Sequence, residues 1–271
     1  MIAALPLPPA QRPVAITLVD IDDTLLQTRR KCPPDLAETS LTPMAFAADG
    51  SPLGFATPGQ MALIEWLATS TLFIPVTARS SDALLRTRLP FSAAVAAHGG
   101  VLYPGPRPAG APPPVDTGWQ ARMAATLDPH AADLAQLAAR IGADAAASGA
   151  RIRPRIISEA GLQLYLVVKH ADDPPDIADL HAACAPAISA LPAGWTAHVN
   201  GNNVALMPPG LGKEHAVAAM LPGLRAAWPG LPVIGIGDSL TDGGFMALCD
   251  FAMLPTQSQL ARRLFGGPAQ P

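Results

Sequence analysis

The sequence predicts an α/β protein, with a doubly wound, Rossmann-like parallel-sheet core and an inserted α+β domain. Short apolar runs rich in β-branched residues alternate with helical stretches at both ends of the 271-residue chain, which indicates a parallel sheet. The middle of the chain differs, because helices are followed there by hairpins. We therefore expect a core formed by residues 1–104 and 206–271, with residues 105–205 inserted into it.

Composition excludes several classes of partner. The net charge is only −3 and the basic residues form no stripe, so we expect no nucleic acid and no anionic membrane surface as a partner. The sequence has no run of about 18 apolar residues free of proline and charge, so we expect no membrane-spanning helix. The three cysteines form no CxxC pair, which favours idle thiols in a reducing, cytoplasmic location. A monomer and a homodimer both remain open.

The first core elements follow from local patterns. The run "VAITLVD" (14–20) predicts a strand buried on both faces. "TPGQMALIEWLATS" (57–70) predicts a helix, in which Thr57 is the N-cap and Gln60 completes a capping box. "TLFIPVT" (71–77) predicts the next strand.

Later elements complete both predicted domains. For the core we expect a short helix at 81–89, a strand with a glycine turn at 93–100, and a strand at 231–238 that enters a helix at 242–249. For the insertion we expect a proline-rich linker at 103–118, a helical stretch at 119–149 broken near Pro129, a hairpin at 151–170 that turns at "EAG", a helix at 174–191 and a hairpin at 195–209 that turns at "NGNN".

Three predicted core strands end at residues that can do chemistry: Asp20, Thr77 and Asp238. Parallel sheets bind ligands beyond the carboxyl ends of their strands, so we expect these side chains to lie near one another. Asp20 and Asp22 are two apart and can point the same way, which requires opposite charge nearby. A hard cation with oxygen ligands, Mg²⁺, fits that need.

Further residues extend this constellation. Asp238 and Asp242 can complete a cation site, Thr77 can donate its hydroxyl to an anion, and Lys213 lies at a predicted helix start. Carboxylates on a metal ion with one hydroxyl and one lysine suit phosphoryl transfer. A carboxylate can act as the nucleophile, and a second carboxyl two residues on can move protons.

Four segments in this order resemble the motifs of the haloacid dehalogenase superfamily of phosphatases: "DIDDT", "VTARS", "GKEHA" and "GDSLTDGG". The insertion between the second and third segments resembles the α/β cap of the Cof-type and sucrose-phosphatase-like branch. The resemblance implies Asp20 as nucleophile, Asp22 as general acid and base, and Thr77 and Lys213 on the phosphate. It also implies Mg²⁺ held by the Asp20 carboxylate, the Asp22 main-chain carbonyl and Asp238, with Asp242 in support.

Other positions carry less specific expectations. Asp23 stands where Gly is common in this branch, and we expect it to serve the turn, since Asp tolerates turn conformations. Arg79 is a candidate substrate-binding residue that can instead pair with an acid of the core. Arg155, which alternates with Arg151 and Arg153 on one predicted strand, belongs to a solvated face or binds a charged part of the substrate. Candidate contacts for the leaving group are Asn202 and Asn203.

The predicted function is a Mg²⁺-dependent phosphatase that acts on a small-molecule phosphate ester, a sugar or glycosyl phosphate, through an aspartyl phosphate. One alternative is a sugar phosphomutase of the same superfamily, which returns the phosphoryl group to the bound sugar. A second alternative is a non-catalytic sugar-phosphate sensor that has kept the fold.

Overall fold

Strands and helices alternate along the chain in this computed structural model, which describes residues 12–108, 111–172, 174–199 and 201–266. The first elements are β1 (Ala15–Val19), β2 (Thr42–Phe46), β3 (Pro52–Ala56), α1 (Pro58–Ser70), β4 (Thr71–Pro75), α2 (Ser81–Leu85), β5 (Ala94–Ala96) and β6 (Val101–Tyr103). Next come α3 (Thr117–Leu127), α4 (Ala131–Ser148), β7 (Ile152–Glu159), β8 (Leu162–His170), α5 (Ile177–Ser189), β9 (Thr196–Val199) and β10 (Val204–Met207). The last are α6 (Lys213–Ala227), β11 (Val233–Ile236), α7 (Gly243–Met246), β12 (Phe251–Met253) and α8 (Gln259–Phe265).

The chain divides into two compact units. Unit 1 comprises Met1–Asp116 and Lys213–Pro271, and unit 2 comprises Thr117–Gly212. Each unit has its own sheet. Their roles as a catalytic core and a cap, and the boundaries expected at 104/105 and 205/206, stay predictions.

Unit 1 is built on a parallel sheet in the order β12-β11-β1-β4, which confirms the predicted α/β core. Strand β1 is buried along its whole length, as its continuous apolar run predicts. A parallel bridge between Val76 and Val95 continues the sheet toward β5. Helices α1, α6 and α7 contact β4, β5 and β11 respectively, so helices flank the sheet.

Local sequence signals explain where α1 and β4 begin and end. The Thr57 hydroxyl accepts the main-chain N–H of Gln60 at 3.3 Å, and the Gln60 side chain accepts the N–H of Thr57 at 2.9 Å. This is the predicted capping box, with Pro58 at the first helical position. Pro75 is the last residue of β4, a position where its missing N–H removes no bond from the middle of a ladder.

Two parts of unit 1 differ from the sequence-based expectation. No element is predicted between residues 28 and 56, yet β2 and β3 form an antiparallel hairpin there. The predicted helix at 81–89 ends at Leu85, because the chain that follows hydrogen-bonds to the hairpin. The Arg88 N–H donates to the Met44 carbonyl at 2.8 Å, and Thr87 forms an antiparallel bridge with Ala45.

Unit 2 is an antiparallel sheet in the order β7-β8-β10-β9, with helices α4 and α5 against one face. The helical stretch is broken at Asp128–His130, and the first hairpin turns at Ala160 and Gly161, as predicted. The second hairpin turns where predicted, although residue 200 of that turn lies outside the described residues. The core of unit 2 joins apolar residues of two helices, two strands and the position just before β9: Leu134, Leu137, Ile141, Leu166, Val168, Leu180, Cys184, Ala187, Trp195, Val204 and Leu206.

Two further features concern membrane-spanning helices and the cysteine thiols. Within the described ranges, no helix combines the length and the apolar character needed to cross a membrane. Cys32 and Cys184 are buried, Cys249 is half-buried, and all three are free thiols. Burial raises the pKa of Cys184 to about 11, so this thiol stays protonated and unreactive near neutral pH.

Candidate active site

Polar residues follow three neighbouring parallel strands of unit 1 at the same edge of the sheet. Asp20 follows β1 directly, Thr77 comes two residues after β4, and Asp238 comes two residues after β11. The Asp20 N–H donates to the Ile236 carbonyl at 2.8 Å, which ties the end of β1 to the end of β11. The carboxyl edge of this sheet therefore holds the predicted constellation.

Lys213, the first residue of α6, joins two of these regions. Its ammonium group donates to Asp20 Oδ1 at 2.6 Å and to Asp242 Oδ1 at 2.7 Å. All three side chains are buried, with Lys213 7% and Asp242 0% exposed. The first, third and fourth sequence segments thus meet at one buried ammonium group.

Burial and charge perturb the groups around Lys213. Burial raises the pKa of Asp20 well above its usual range, Lys213 opposes this shift, and Asp242 and Asp22 add to it. Burial by itself would lower the pKa of Lys213, but Asp20 and Asp242 raise it above its ordinary value. Burial would raise the pKa of Asp242, yet Lys213 and hydrogen bonds from Ser239 lower it. Lys213 and Asp242 therefore form a charged pair inside the protein.

Asp238 lies beside this pair, and less positive charge compensates its carboxylate. Burial, followed by the charges of Asp242 and Asp23, raises the pKa of Asp238 to about 7. The Thr24 hydroxyl lies 3.3 Å from Asp20 Oδ2 and 3.5 Å from Asp238 Oδ1, so it donates between the two carboxylates. The cluster is short of positive charge on the Asp20–Asp238 side.

The donor set fits a hard divalent cation. Carboxylate oxygens of Asp20, Asp238 and Asp242 all lie within 4.8 Å of one another. Oxygen ligands of this kind are those that Mg²⁺ prefers. Asp242 is engaged elsewhere, since its Oδ2 accepts the Ser239 hydroxyl at 2.7 Å and the Ser239 N–H at 2.9 Å, and its Oδ1 holds Lys213. Asp20 and Asp238 are therefore better placed as cation ligands than Asp242, which supports Lys213 and the chain at Ser239.

Asp22 is held by Arg79 rather than by Lys213. The guanidinium donates from Nε to Asp22 Oδ2 at 2.8 Å and from Nη2 to Asp22 Oδ1 at 2.7 Å, a bidentate pair. The Arg79 N–H also donates to the Thr77 hydroxyl at 3.1 Å. From the sequence, Arg79 could contact either the substrate or an acid of the core. In this structure its guanidinium contacts the acid.

Asp23 occupies the left-handed region, with φ of 64°, and its carboxylate pairs with Lys31. The Asp23 N–H donates to the Leu26 carbonyl at 2.8 Å, which closes a tight turn. The three acids of "DIDDT" thus have three different cationic partners.

A turn after β5 fixes the segment around Thr77. Ala97 and His98 both adopt positive φ, of 51° and 56°. The Ala97 N–H donates to the Arg79 carbonyl at 2.7 Å, and the His98 N–H donates to the Thr77 carbonyl at 3.1 Å. The glycine turn was predicted from sequence, but its hydrogen bonds to the Thr77 segment were not, because they join residues about 20 positions apart.

Gly237 shows how tightly the Asp242 side chain is packed. A Cβ at Gly237 would lie 2.6 Å from Asp242 Cβ and 2.9 Å from its carboxyl carbon. Real atoms do not approach so closely, so only glycine allows Asp242 to reach Lys213 beside this strand end.

The predicted substrate contacts in unit 2 differ in their exposure and hydrogen bonding. Arg155 is exposed on β7. The Asn202 side-chain oxygen accepts the His170 N–H at 2.7 Å, so Asn202 ties the second hairpin to β8. Asn203 is half-buried just before β10. Their roles as substrate contacts stay predictions.

The chain is similar to several solved structures. No family model matches the chain, and no curated protein matches it. The similar structures include a trehalose-6-phosphate phosphatase related protein, at 18% identity, covering 89% of this chain and 86% of the other, with a TM-score of 0.43.

Two further structures have similar scores. One is a haloacid dehalogenase-like hydrolase from Bacillus subtilis, at 15% identity, covering 93% of this chain and 85% of the other, with a TM-score of 0.48. The other is the sucrose-phosphatase of Synechocystis sp. PCC6803, at 14% identity, covering 94% and 96%, with a TM-score of 0.46. An activity therefore has to be argued from the residues of this chain.

Proposed function

We propose that this chain is a Mg²⁺-dependent phosphatase of the haloacid dehalogenase type, which hydrolyses a small phosphorylated metabolite, a sugar or glycosyl phosphate. One observation carries the proposal: the Lys213 ammonium is shared between Asp20 and Asp242 at the carboxyl edge of the parallel sheet. This contact gathers carboxylates and a cation where a phosphoryl group can be neutralised during transfer.

Asp20 is the proposed nucleophile. Its Oδ attacks phosphorus, the bond from phosphorus to the ester oxygen breaks, and an aspartyl phosphate forms. Water then attacks phosphorus, the bond from phosphorus to the Asp20 Oδ breaks, and inorganic phosphate leaves, which restores the Asp20 carboxylate. Contact with Lys213 at 2.6 Å supports this role, since the ammonium can stabilise charge on both sides of the step.

Asp22 is the proposed general acid and base. It donates a proton to the leaving oxygen in the first step and accepts one from water in the second. The bidentate contact with Arg79 fixes the orientation of this carboxyl group. Thr77 and Lys213 are the proposed phosphate contacts.

The Asp20 and Asp238 carboxylates, with the main-chain carbonyl of Asp22, would hold Mg²⁺. When bound, the ion supplies positive charge to the transferring phosphoryl group. Asp242 contributes through Lys213 and Ser239, whose contacts engage both of its oxygens.

Unit 2 is proposed as the cap that selects the leaving group, which favours small substrates over folded phosphoproteins. Arg155, Asn202 and Asn203 are its candidate contacts. A cytoplasmic location is proposed as well, in keeping with the three free thiols.

The decisive experiment is a phosphate-release screen with and without Mg²⁺. The panel contains sugar phosphates, glycosyl phosphates, phosphoglycolate-like acids and nucleotides. Release of inorganic phosphate from small esters only in the presence of Mg²⁺ is the expected result. Conversion of a hexose 1-phosphate to its isomer without free phosphate would favour a mutase, and binding without turnover on the whole panel would favour a sensor.

Substitution of the nucleophile tests the chemistry directly. We expect Asp20→Asn to lower kcat by at least about 10³-fold and to abolish phospho-enzyme formation, because an amide is not a nucleophile for phosphorus. Rapid-quench labelling and steady-state rates measure both effects. Asp35→Asn, at an exposed position on the same N-terminal stretch, is the control and should retain full activity. Near-full turnover of Asp20→Asn would remove Asp20 from the mechanism.

A further inference from the structure

The sheet of unit 2 has basic side chains on the face that points away from α4 and α5. Ile156 of β7 and Val168 of β8 pack into the core that the sheet forms with those two helices. Successive side chains of a strand point to opposite faces, so Arg153, Arg155 and Lys169 point away from that core. All three are exposed. We call these three residues the basic face.

The strand register places the three cations side by side. In the antiparallel pair of β7 and β8, Arg153 lies directly opposite Lys169, and Arg155 lies opposite Val167. Directly opposed residues have Cβ atoms about 4.5–5.5 Å apart, and diagonal neighbours, such as Arg155 and Lys169, about 7–8 Å. Like charges at such positions destabilise a sheet unless an opposite charge lies near them. The basic face therefore favours an anion beside it.

The nearest acid of this hairpin already has a cationic partner. Asp172 forms an ion pair with Arg151 at 2.7 Å. The Arg153 guanidinium donates to the main-chain carbonyl of Ala171, a neutral acceptor. The Arg155 guanidinium has no hydrogen bond or ion pair with any residue that the structure describes. Its donors are therefore available to a ligand.

The positions around the basic face add polar character without negative charge. Val204 of β10 pairs with Val168, so Asn203, which precedes Val204, lies next to Lys169 in the adjoining strand. Asn203 is half-buried and its amide can donate to an anion. Glu159, the acid of β7, is the last residue of that strand, at the hairpin turn and away from Arg153.

We propose that the basic face of unit 2 binds a second anionic group, a carboxylate or a phosphate, on the leaving group of the substrate. The proposal rests on the proposed function, in which unit 2 selects the leaving group. It narrows the substrate class to small phosphate esters that carry a further negative charge. Arginine suits this task, because its planar guanidinium can make two parallel hydrogen bonds to a carboxylate or phosphate.

Two pairs of esters, whose members differ in the second anionic group, test the proposal. Glucose 6-phosphate with 6-phosphogluconate tests a carboxylate, and fructose 6-phosphate with fructose 1,6-bisphosphate tests a phosphate. Isothermal titration uses the full-length Asp20→Asn protein, which should bind esters without turnover. In at least one pair we expect the ester with the second anionic group to bind at least about tenfold tighter, and that pair identifies the anion.

Substitution assigns the preference to the basic face. Adding Arg153→Gln and Arg155→Gln to the Asp20→Asn protein should bring the ratio of the two affinities in the preferred pair close to one. Arg140→Gln is the matched control, because Arg140 is exposed on α4, the helix against the opposite face of the sheet. It removes one positive charge and should retain the ratio. The preference should also weaken at about 1 M salt, since the basic face is exposed.

The outcomes separate this proposal from the phosphatase assignment. Equal affinities within both pairs, or a preference that persists without Arg153 and Arg155, would overturn the basic face as an anion site, whereas phosphate release in the screen would still support the phosphatase. An equal fall of the ratio in Arg140→Gln would overturn it as well. A preference that depends on Arg153 and Arg155, in a protein that releases no phosphate from any ester, would keep the anion site and overturn the phosphatase. Failure of all four esters to bind would overturn the anion site.

Discussion

At the scale of single residues, the acids of "DIDDT" are separated by their cationic partners. Asp20 contacts Lys213, Asp22 contacts Arg79, and Asp23 contacts Lys31. Neighbouring like charges would repel one another, so each carboxylate is stabilised by a cation brought from a different part of the chain. The sequence shows the acids, but it does not show which cation belongs to which acid.

Arg79 is expected to act through Asp22. In Arg79→Gln the carboxyl group loses a bidentate partner and its fixed orientation, so kcat should fall by about 10- to 100-fold with little change in KM. Arg79→Lys should recover only part of kcat, because an ammonium cannot make the same two-point contact. Steady-state kinetics on the best ester of the screen measure the two constants. A rise in KM at unchanged kcat would instead make Arg79 the substrate contact that the sequence allowed.

Gly237 is expected to be intolerant of a side chain. The added methyl group in Gly237→Ala would overlap Asp242 and move it away from Lys213, which should cost about 1–3 kcal/mol of stability and lower activity at least about tenfold. Gly243→Ala is the matched control, because no atom lies within 4 Å of its built Cβ. Urea unfolding and phosphate release compare the two variants. Equal stability and equal activity of the two variants would show that close packing at Gly237 is unimportant.

At the scale of elements, short sequence patterns determine where some helices and strands form, and pairing with distant parts of the chain determines others. The capping box of α1 and the break between α3 and α4 follow directly from short sequence patterns. An Asp-Gly pair at Asp49–Gly50, with φ of 85° at the glycine, is a hairpin signal that would have located β2 and β3. The early end of α2 and the three-residue edge strand β12 have no such signal, since both depend on neighbours far along the chain.

The capping box should contribute measurably to stability. Thr57→Ala removes the hydroxyl that accepts the Gln60 N–H, so the free energy of unfolding should fall by about 1 kcal/mol. Thr69→Ala is the control, because Thr69 is exposed on the same helix and its hydroxyl bonds only to nearby residues of that helix, Glu65, Trp66 and Ser70. Chemical denaturation measures the difference. A loss no larger than that of Thr69→Ala would mean that tertiary packing alone fixes the start of α1.

At the scale of the whole molecule, the chain forms two units with separate cores. The proposed cation ligands and Lys213 all belong to unit 1, while the predicted substrate contacts Arg155, Asn202 and Asn203 belong to unit 2. In the proposed function, unit 1 carries the chemistry and unit 2 carries the residues that choose a substrate.

Mg²⁺ is expected to stabilise unit 1 selectively. At about 100 times its dissociation constant the ion should add about 2.7 kcal/mol to the stability of the unit that binds it. Calorimetry should then show one transition that moves up with Mg²⁺ and one that does not. Asp238→Asn should abolish the shift, whereas Asp144→Asn, on the exposed face of α4, should preserve it. A single transition that moves as a whole would contradict independent units.

Sequence by itself determined the fold class, the existence of an inserted α+β region and the identity of the acids and the lysine at the candidate site. These are local properties, because strand runs, helix caps and the order of four short segments can be recognised without knowing which parts of the chain meet. Tertiary structure decided the pairing. It placed Lys213 against Asp20 and Asp242, Arg79 against Asp22, and Lys31 against Asp23. Such pairings depend on distances between residues up to 193 positions apart, which only the folded sheet determines.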